Sequence, residues 1–198
     1  MLFGCRLIIQ WWQSEKSKSV VSPKIYWQLS LAGSFLFLWY GLIRSDIVII
    51  VGQALSYFIY IRNLQLKNAW KQFSLPVRII IFSLPLLSLL WSMLFLENTG
   101  TINLNFMDPL MIIGAIGQLG LNLRFLYQWY YSEKHKTSLL PFGFWSISTW
   151  ASVLVIIYSL FHPVYQIEPV LLVSQTLGIV VYIRNMILSR RFQKQVTA

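Results

Sequence analysis

The stretch RLIIQWWQSEKSKSVVSPKIYW at Arg6–Trp27 decides the fold, because it returns as RFLYQWYYSEKHKTSLLPFGFW at Arg124–Trp145. The two stretches align without a gap at a spacing of 118 residues. Such self-similarity is the signature of a chain built from repeated structural units. Among the pairs that this spacing makes identical are Arg6 and Arg124, Gln10 and Gln128, Trp11 and Trp129, Ser14 and Ser132, Glu15 and Glu133, and Trp27 and Trp145.

The similarity continues beyond these stretches. An insertion of four residues near 162–165 shifts the spacing to 122, after which Gln53 aligns with Gln175. The sequence Tyr-Ile-Arg-Asn then occurs at both Tyr60–Asn63 and Tyr182–Asn185. Two long polar motifs in the same order are improbable by chance, so the chain contains two copies of one unit.

The composition is that of a membrane protein. Hydrophobic residues make up 57% of the chain and charged residues 11%, whereas a soluble domain carries about 25% charged residues. The net charge of +10 comes from basic residues that flank apolar runs, which favours membrane lipid over nucleic acid as a partner. The single cysteine excludes an intrachain disulfide, and the two histidines have no ligand cluster near them, so we expect neither a metal nor a cofactor.

Apolar runs bounded by charged residues predict seven membrane-spanning helices. Three spans in each unit and one between them predict an all-α integral membrane fold of two parallel three-helix repeats joined by a linker helix. The first span is short, since the position equivalent to the start of the second unit near Pro109 would lie 118 residues earlier, about nine residues before Met1. The predicted spans are 1–13, 25–43, 47–64, 76–96, 107–131, 141–161 and 169–188, within a first repeat at 1–68, a linker helix and outer loop at 69–106, a second repeat at 107–192 and a cytoplasmic tail at 193–198.

The connections between these spans differ strongly in charge. Thirteen Lys and Arg residues fall on one side of the membrane, and only Arg44 falls on the other. The positive-inside rule places the basic side in the cytoplasm. An odd number of spans then predicts an N-terminus outside and a C-terminus in the cytoplasm.

Two arginines lie inside predicted spans, where the charge is costly unless it faces protein, water or an anion. These are Arg6 and Arg124, and a guanidinium can hold a phosphate through two hydrogen bonds. Alternatively, each arginine reaches for the membrane surface or ties its helix to a neighbour. The side chains that could share a phosphate and sugar site with them are Gln10 and Gln128, on the same helix faces, and Trp11 and Trp129, which could stack on a sugar ring.

Other repeated polar residues have a structural alternative as well. Gln53 and Gln175 lie in the middle of spans, where an amide either pairs with a neighbouring helix or contacts a ligand. The pairs Arg62–Asn63 and Arg184–Asn185 could contact a ligand or simply anchor their helices at the cytoplasmic face. The repeated Ser-Glu-Lys motif is interpreted as a structural turn in a cytoplasmic loop. The sequence has no phosphate loop, catalytic triad or paired carboxylates for general acid–base catalysis.

The combined pattern RxxxQWxxSEKxK, followed by Pro, Trp, Tyr, an acid, Gln and YIRN, resembles the lipid A biosynthesis N-terminal domain family. Both halves match, over 6–63 and 124–185, although Ser174 stands where the family has Gly and Glu168 where it has Asp. The module also occurs ahead of the catalytic part of some lipid-A-disaccharide synthases. The resemblance therefore implies a protein of the bacterial inner membrane in envelope glycolipid biogenesis.

The predicted 3+1+3 layout is similar to that of the PQ-loop and SWEET sugar transporters. The chain contains no Pro-Gln dipeptide, so this resemblance concerns architecture and does not fix function. A disaccharide synthase needs a nucleotide-binding domain, for which this sequence leaves no room. We therefore do not expect an enzyme.

Three functional hypotheses follow. In the first, the protein binds and translocates a lipid-linked sugar or lipid A precursor, with the arginines on the phosphate and the tryptophans on the sugar. In the second, it is a non-transporting accessory subunit that recruits a membrane glycosyltransferase. In the third, it moves small free sugars as SWEET transporters do.

Overall fold

The computed structural model describes residues 2–43, 47–95, 109–161 and 169–197. Over these ranges the secondary structure is entirely helical, with seven long helices and one 3-10 turn at Trp70–Gln72. The number of long helices agrees with the sequence prediction. They are α1 (Leu2–Ser17), α2 (Lys24–Ile43), α3 (Ile47–Leu66), α4 (Leu75–Phe95), α5 (Pro109–His135), α6 (Phe142–Leu160) and α7 (Pro169–Thr197).

Helices α1 and α5 continue past the ends predicted for them. The Ser-Glu-Lys motifs at 14–16 and 132–134 are therefore helical, and their placement in loops was wrong. The prediction ended each helix at its last apolar residue. The backbone hydrogen bonds of a helix can continue through polar residues when their side chains have partners within the protein. Both helices end at the same repeat position, where Lys18 and Lys136 each adopt a φ of 52°. Helix α7 likewise continues to Thr197.

The helices pack as two similar groups of three. We call α1–α3 the first unit and α5–α7 the second unit. In each unit the middle helix contacts both of the others, and the units meet along two seams, α1 against α7 and α3 against α5. Exchanging the two units maps one seam onto the other, which agrees with the repeat. Helix α4 packs against α3 and α2.

The close contact between α5 and α6 depends on glycine. A Cβ added at Gly117 would lie 2.9 Å from the carbonyl oxygen of Ala151. Small residues that let helix backbones approach are typical of helix packing in membranes. This contact fixes α5, which carries Arg124, against its own unit.

The outer surface is unusually apolar for a protein, and the interior mixes aromatic and aliphatic side chains with polar ones. Large apolar side chains point outward, including Leu36, Trp39 and Trp150, of which Trp150 is 71% exposed. The interior holds arginine, glutamine, asparagine and serine side chains. Such a surface is stable in lipid and costly in water.

Three of the described helices are long and apolar enough to cross a membrane. These segments are Leu75–Leu94, Phe142–Leu160 and Leu172–Arg191. Together with the apolar outer surface they support a membrane protein. The remaining four spans, the 3+1+3 SWEET-like arrangement and the sidedness stay predictions.

Three loops meet at one end of the helix bundle, which we call the basic end. They are 18–23, 67–74 and 136–141, and they connect α1 to α2, α3 to α4, and α5 to α6. The hydroxyl of Ser22 donates to the carbonyl oxygen of Ser138 at 2.8 Å, so the first and third loops touch. The basic end is the side that the charge pattern predicts to be cytoplasmic.

Candidate functional site

Two buried arginines lie near the interface between the units. Arg6 on α1 is 4% exposed and Arg124 on α5 is 8% exposed, so neither side chain reaches the surface. Each contacts the tyrosine of the YIRN motif in its own unit: Arg6 Nη1 donates to Tyr60 Oη at 3.3 Å and Arg124 Nη1 to Tyr182 Oη at 3.1 Å. Arg6 also donates to Ser30 Oγ at 2.6 Å. These bonds tie α1 to α3 and α5 to α7.

The two guanidinium groups converge on one aromatic ring. The ring of Phe125 has its centroid 5.4 Å from the central carbon of the Arg6 guanidinium and 5.0 Å from that of Arg124. Aromatic faces attract cations when water is excluded. The other rings within reach of the two cations are Phe3, Tyr26 and Tyr60 for Arg6, and Phe144 and Tyr182 for Arg124.

The aromatic cluster around the arginines contains hydrogen-bond donors that lack acceptors. Across the described ranges, buried polar atoms without a partner include Nε of Arg6 and of Arg124. Tyr26 Oη and the indole nitrogens of Trp27 and Trp145 are in the same condition. Most buried polar groups in proteins are hydrogen-bonded, so these donors are available to an acceptor. We call Arg6, Arg124 and these aromatic donors the arginine centre.

No carboxylate neutralises the arginine centre within the described part of the chain. The only acids described there are Glu15 and Glu133, and both pair with other arginines. A buried charge without a counter-charge is expensive. The arrangement is therefore one that an anionic ligand would stabilise.

Glutamine–asparagine pairs hold the two units together. Gln10 and Asn185 donate to one another across the α1–α7 seam, at 2.9 and 3.1 Å. Gln128 and Asn63 make the same two bonds across the α3–α5 seam, at 2.8 and 3.1 Å. All four side chains are completely buried.

The glutamines also hold the loops of the basic end. Gln10 Nε2 donates to Ser14 Oγ and to the carbonyl oxygen of Val21, at 2.8 and 3.1 Å. Gln128 Nε2 donates to Ser132 Oγ and to the carbonyl oxygen of Leu139, both at 2.8 Å. Their donors are thus fully engaged within the protein, as are those of the asparagines. These amides join the two units, and their contact with a ligand stays a prediction.

Two salt bridges reinforce the same seams. Arg62 binds Glu133 across the α3–α5 seam through Nε and Nη2, and Arg184 binds Glu15 across the α1–α7 seam in the same way. The hydrogen bond from Arg184 lowers the pKa of Glu15 from 4.5 to about 2. Hydrogen bonds from Arg62 and then Lys136 lower the pKa of Glu133 to about 2 as well. Both carboxylates are therefore ionised at neutral pH.

The remaining predicted residues lie outside the arginine centre. Gln53 and Gln175 each accept a hydrogen bond within their own unit, from Ser34 Oγ at 2.9 Å and from Ser152 Oγ at 2.8 Å. Trp11 donates to Glu15 at 3.0 Å. Trp129 is 42% exposed and lines a hollow of about 430 Å³ between α3, α4 and α5. The structure thus brings together the two arginines and separates them from both tryptophans.

Sequence reasoning missed several residues that build this centre and its closure. Tyr60 and Tyr182 bond to the arginines, Trp27 and Trp145 pack against those tyrosines, and Glu15 and Glu133 bridge the units. A signal was present, because each of these residues is identical in the two repeats. The alignment pairs equivalent positions, however, and does not reveal which residues touch across a seam.

Comparison with known proteins agrees with the repeat. The sequence pattern described as Lipid A Biosynthesis N-terminal domain matches residues 1–65 and again residues 113–187. A lipid-A-disaccharide synthase of Chlamydia pneumoniae is 30% identical over 166 residues, which is 80% of this chain and 27% of that protein. That of Chlamydia felis is 27% identical, over 95% of this chain and 31% of its own length.

The chain spans about a quarter to a third of the length of these relatives. No solved structure matches it. The two matched segments nevertheless cover most of the chain, and each contains one arginine of the centre together with one glutamine and one asparagine of the seam pairs. The chain belongs to the Lipid A Biosynthesis N-terminal domain family.

Proposed function

We propose that this protein binds the phosphate of a lipid-linked sugar or lipid A precursor at the arginine centre and carries that headgroup across the bacterial inner membrane. Family membership connects the chain with lipid A biogenesis. The observation that carries the proposal is the convergence of Arg6 and Arg124 on Phe125 without a carboxylate among the described residues.

A phosphate suits this centre for two reasons. Its negative charge would offset two buried cations, and its oxygens would accept from both Nε groups and from the indole nitrogens. Arginine binds phosphate through paired, charge-assisted hydrogen bonds. A neutral free sugar would leave the two charges uncompensated, which disfavours small-sugar transport.

The contacts that join the two units near the basic end suggest a mechanism for translocation. The glutamine–asparagine pairs and the salt bridges lie on both seams, and Gln10 and Gln128 follow the arginines by one helical turn. A ligand can reach the arginines from the basic end only when these contacts separate. We propose that the two units, arranged as 3+1+3 with the N-terminus outside and the basic end in the cytoplasm, rock about the centre to give alternating access.

In this scheme the predicted arginines and the amides of the two seams have distinct roles. Arg6 and Arg124 bind the phosphate, while Gln10, Gln128, Asn63 and Asn185 form the gate that the salt bridges of Arg62 and Arg184 secure. Trp11 and Trp129 lie outside the buried cluster that contains Phe125, on which the arginines converge, whereas Trp27 and Trp145 belong to that cluster. They are the better candidates for contact with the headgroup.

We further propose that these 198 residues have no disaccharide synthase activity of their own. The matched family is an N-terminal domain, and the synthases named above are several times longer. That same relationship favours a second candidate, an accessory subunit that holds a glycosyltransferase at the membrane. The accessory role requires no charge in the core, so it does not account for the arginine centre.

Mass spectrometry of co-purifying lipids tests the proposal. Wild type should retain a phosphorylated polyprenyl sugar or lipid A precursor, and Arg124→Gln should lose it. Arg191→Gln removes the same charge from an exposed position on α7 and should retain the lipid. If wild type and both variants carry the same bulk phospholipid, phosphate binding at the centre is refuted and the accessory role is favoured.

A further inference from the structure

A second polar site lies at the basic end, on different residues from the arginine centre. A cavity of about 990 Å³ opens where the three loops meet. Its wall includes Lys24 at the start of α2 and Lys67 just after α3, together with the amide side chains of Gln13, Gln28 and Gln72. We call it the two-lysine cavity. Its volume is that of a small-molecule site.

The charges of the two-lysine cavity are not balanced. No carboxylate lines it, and neither lysine takes part in an ion pair within the described residues. Burial, and then the charge of Lys24, lower the pKa of Lys67. Two like charges therefore share one wall that amide groups surround, and an anion would relieve their repulsion.

The second unit lacks this arrangement. At the repeat spacings, Lys24 corresponds to Phe142, Lys67 to Ser189 and Asn68 to Arg190. There the guanidinium of Arg190 lies 4.8 Å from the centroid of the Phe142 ring, whereas the first unit turns at Asn68, which has a φ of 55°. The paired lysines are therefore a feature of one unit and not part of the repeated scaffold.

The cavity adjoins the gate. Val21 and Leu139 line it, and their carbonyl oxygens accept the hydrogen bonds from Gln10 and Gln128. Ser138, also in its wall, donates to Asn63 Oδ1 at 2.7 Å. The glutamine–asparagine pairs thus lie between the cavity and the arginines.

We propose that the two-lysine cavity is a binding site for a phosphate-bearing anion that approaches from the basic end. Lys24 and Lys67 supply the charge, and the amide groups of Gln13, Gln28 and Gln72 donate the remaining hydrogen bonds. The anion is either a free phosphate compound or the headgroup of a lipid. The inference stands independently of the arginine centre.

Calorimetric titration with inorganic pyrophosphate, on protein in neutral-lipid nanodiscs, tests the site. The double variant Lys24→Gln/Lys67→Gln should weaken binding by about tenfold or more, because it removes both charged hydrogen-bond donors of the cavity. The matched control Lys71→Gln/Lys134→Gln removes two exposed charges from the same end and should change the Kd by less than about twofold.

A second experiment, with lipids, distinguishes the two sources of phosphate. Native mass spectrometry in detergent compares retention of phosphatidic acid with that of phosphatidylcholine for the same variants. Pyrophosphate binding that needs the lysines identifies a free anion, and lysine-dependent preference for phosphatidic acid identifies a headgroup. The proposal is overturned if neither probe depends on the lysines, or if pyrophosphate binding is lost in Arg6→Gln/Arg124→Gln and kept in the lysine variant.

Discussion

The two seams between the units are built alike, whereas the regions just beyond them differ. Each seam carries a reciprocal glutamine–asparagine pair and a two-pronged salt bridge. At the basic end, by contrast, the first unit has two lysines around a cavity and the second stacks Arg190 on Phe142. The comparison separates contacts that join the units from features that only one unit has.

The duplicated contacts explain why a polar interior is tolerated. Every donor of the four seam amides has a partner inside the protein, so these groups stabilise a close approach of helices without water. The arginine centre is different, since it is duplicated yet incompletely satisfied. Duplication thus marks both the seam contacts and the arginine centre.

Breaking one seam amide should have the largest effect on stability. Gln10→Leu or Gln128→Leu removes both hydrogen bonds between the two amides of its seam and should cost about 1–3 kcal/mol each. Denaturant unfolding in detergent would measure both. Asn122→Leu on α5, whose side chain is exposed and bonds only to its own helix, should cost little. If either leucine variant costs no more than Asn122→Leu, that seam does not depend on its amide pair.

Removing an arginine of the arginine centre should raise the free energy of unfolding, whereas removing a seam amide should lower it. Arg124→Met deletes a buried charge with no described counter-ion and should stabilise the ligand-free protein by about 1–3 kcal/mol, since an arginine inside a membrane helix costs up to about 3 kcal/mol. Arg191→Met should be neutral. Denaturant unfolding of delipidated protein in detergent would measure the stability of both variants. A loss of stability would mean that the bond from Arg124 to Tyr182 serves mainly to tie α5 to α7.

One hydrogen bond distinguishes the two seams, and mutation can move it from one seam to the other. Ser138 donates to Asn63 at 2.7 Å, whereas its repeat counterpart Val20 offers no such donor to Asn185. Ser138→Val should therefore cost about 1 kcal/mol, and Val20→Ser should recover part of that in the double variant. If Ser138→Val leaves the free energy of unfolding unchanged, this bond does not strengthen the α3–α5 seam.

The salt bridges should contribute least and should respond to pH. A carboxylate whose folded pKa is about 2 against a usual 4.5 contributes stability that is complete above pH 4.5 and is lost as the pH falls toward 2. In a double-mutant cycle, Arg62→Gln and Glu133→Gln should couple by about 0.2–1 kcal/mol, since both side chains are partly exposed. The coupling should vanish below about pH 2; a coupling that persists there is not electrostatic.

Much of this fold was predictable and much of the site was not. Apolar runs located all seven helices, and the repeat paired Gln10 with Gln128 and Arg6 with Arg124. The apolar runs could not show that residues 14–16 remain helical, because these residues are polar and hydropathy does not register their hydrogen-bond partners. Nor could they show that Gln10 contacts Asn185, because that contact depends on how α1 packs against α7, which the repeat alone does not specify.

The most direct test of the central claim is a binding titration with a short-chain polyprenyl-phosphate sugar and the matching polyprenol without phosphate. Wild type should bind the phosphorylated lipid and not the polyprenol. The variant Arg6→Gln/Arg124→Gln should lose that preference while remaining monodisperse and as stable as wild type or more so. Equal binding of both lipids, or an undiminished preference in the double variant, would contradict phosphate recognition by the buried arginines.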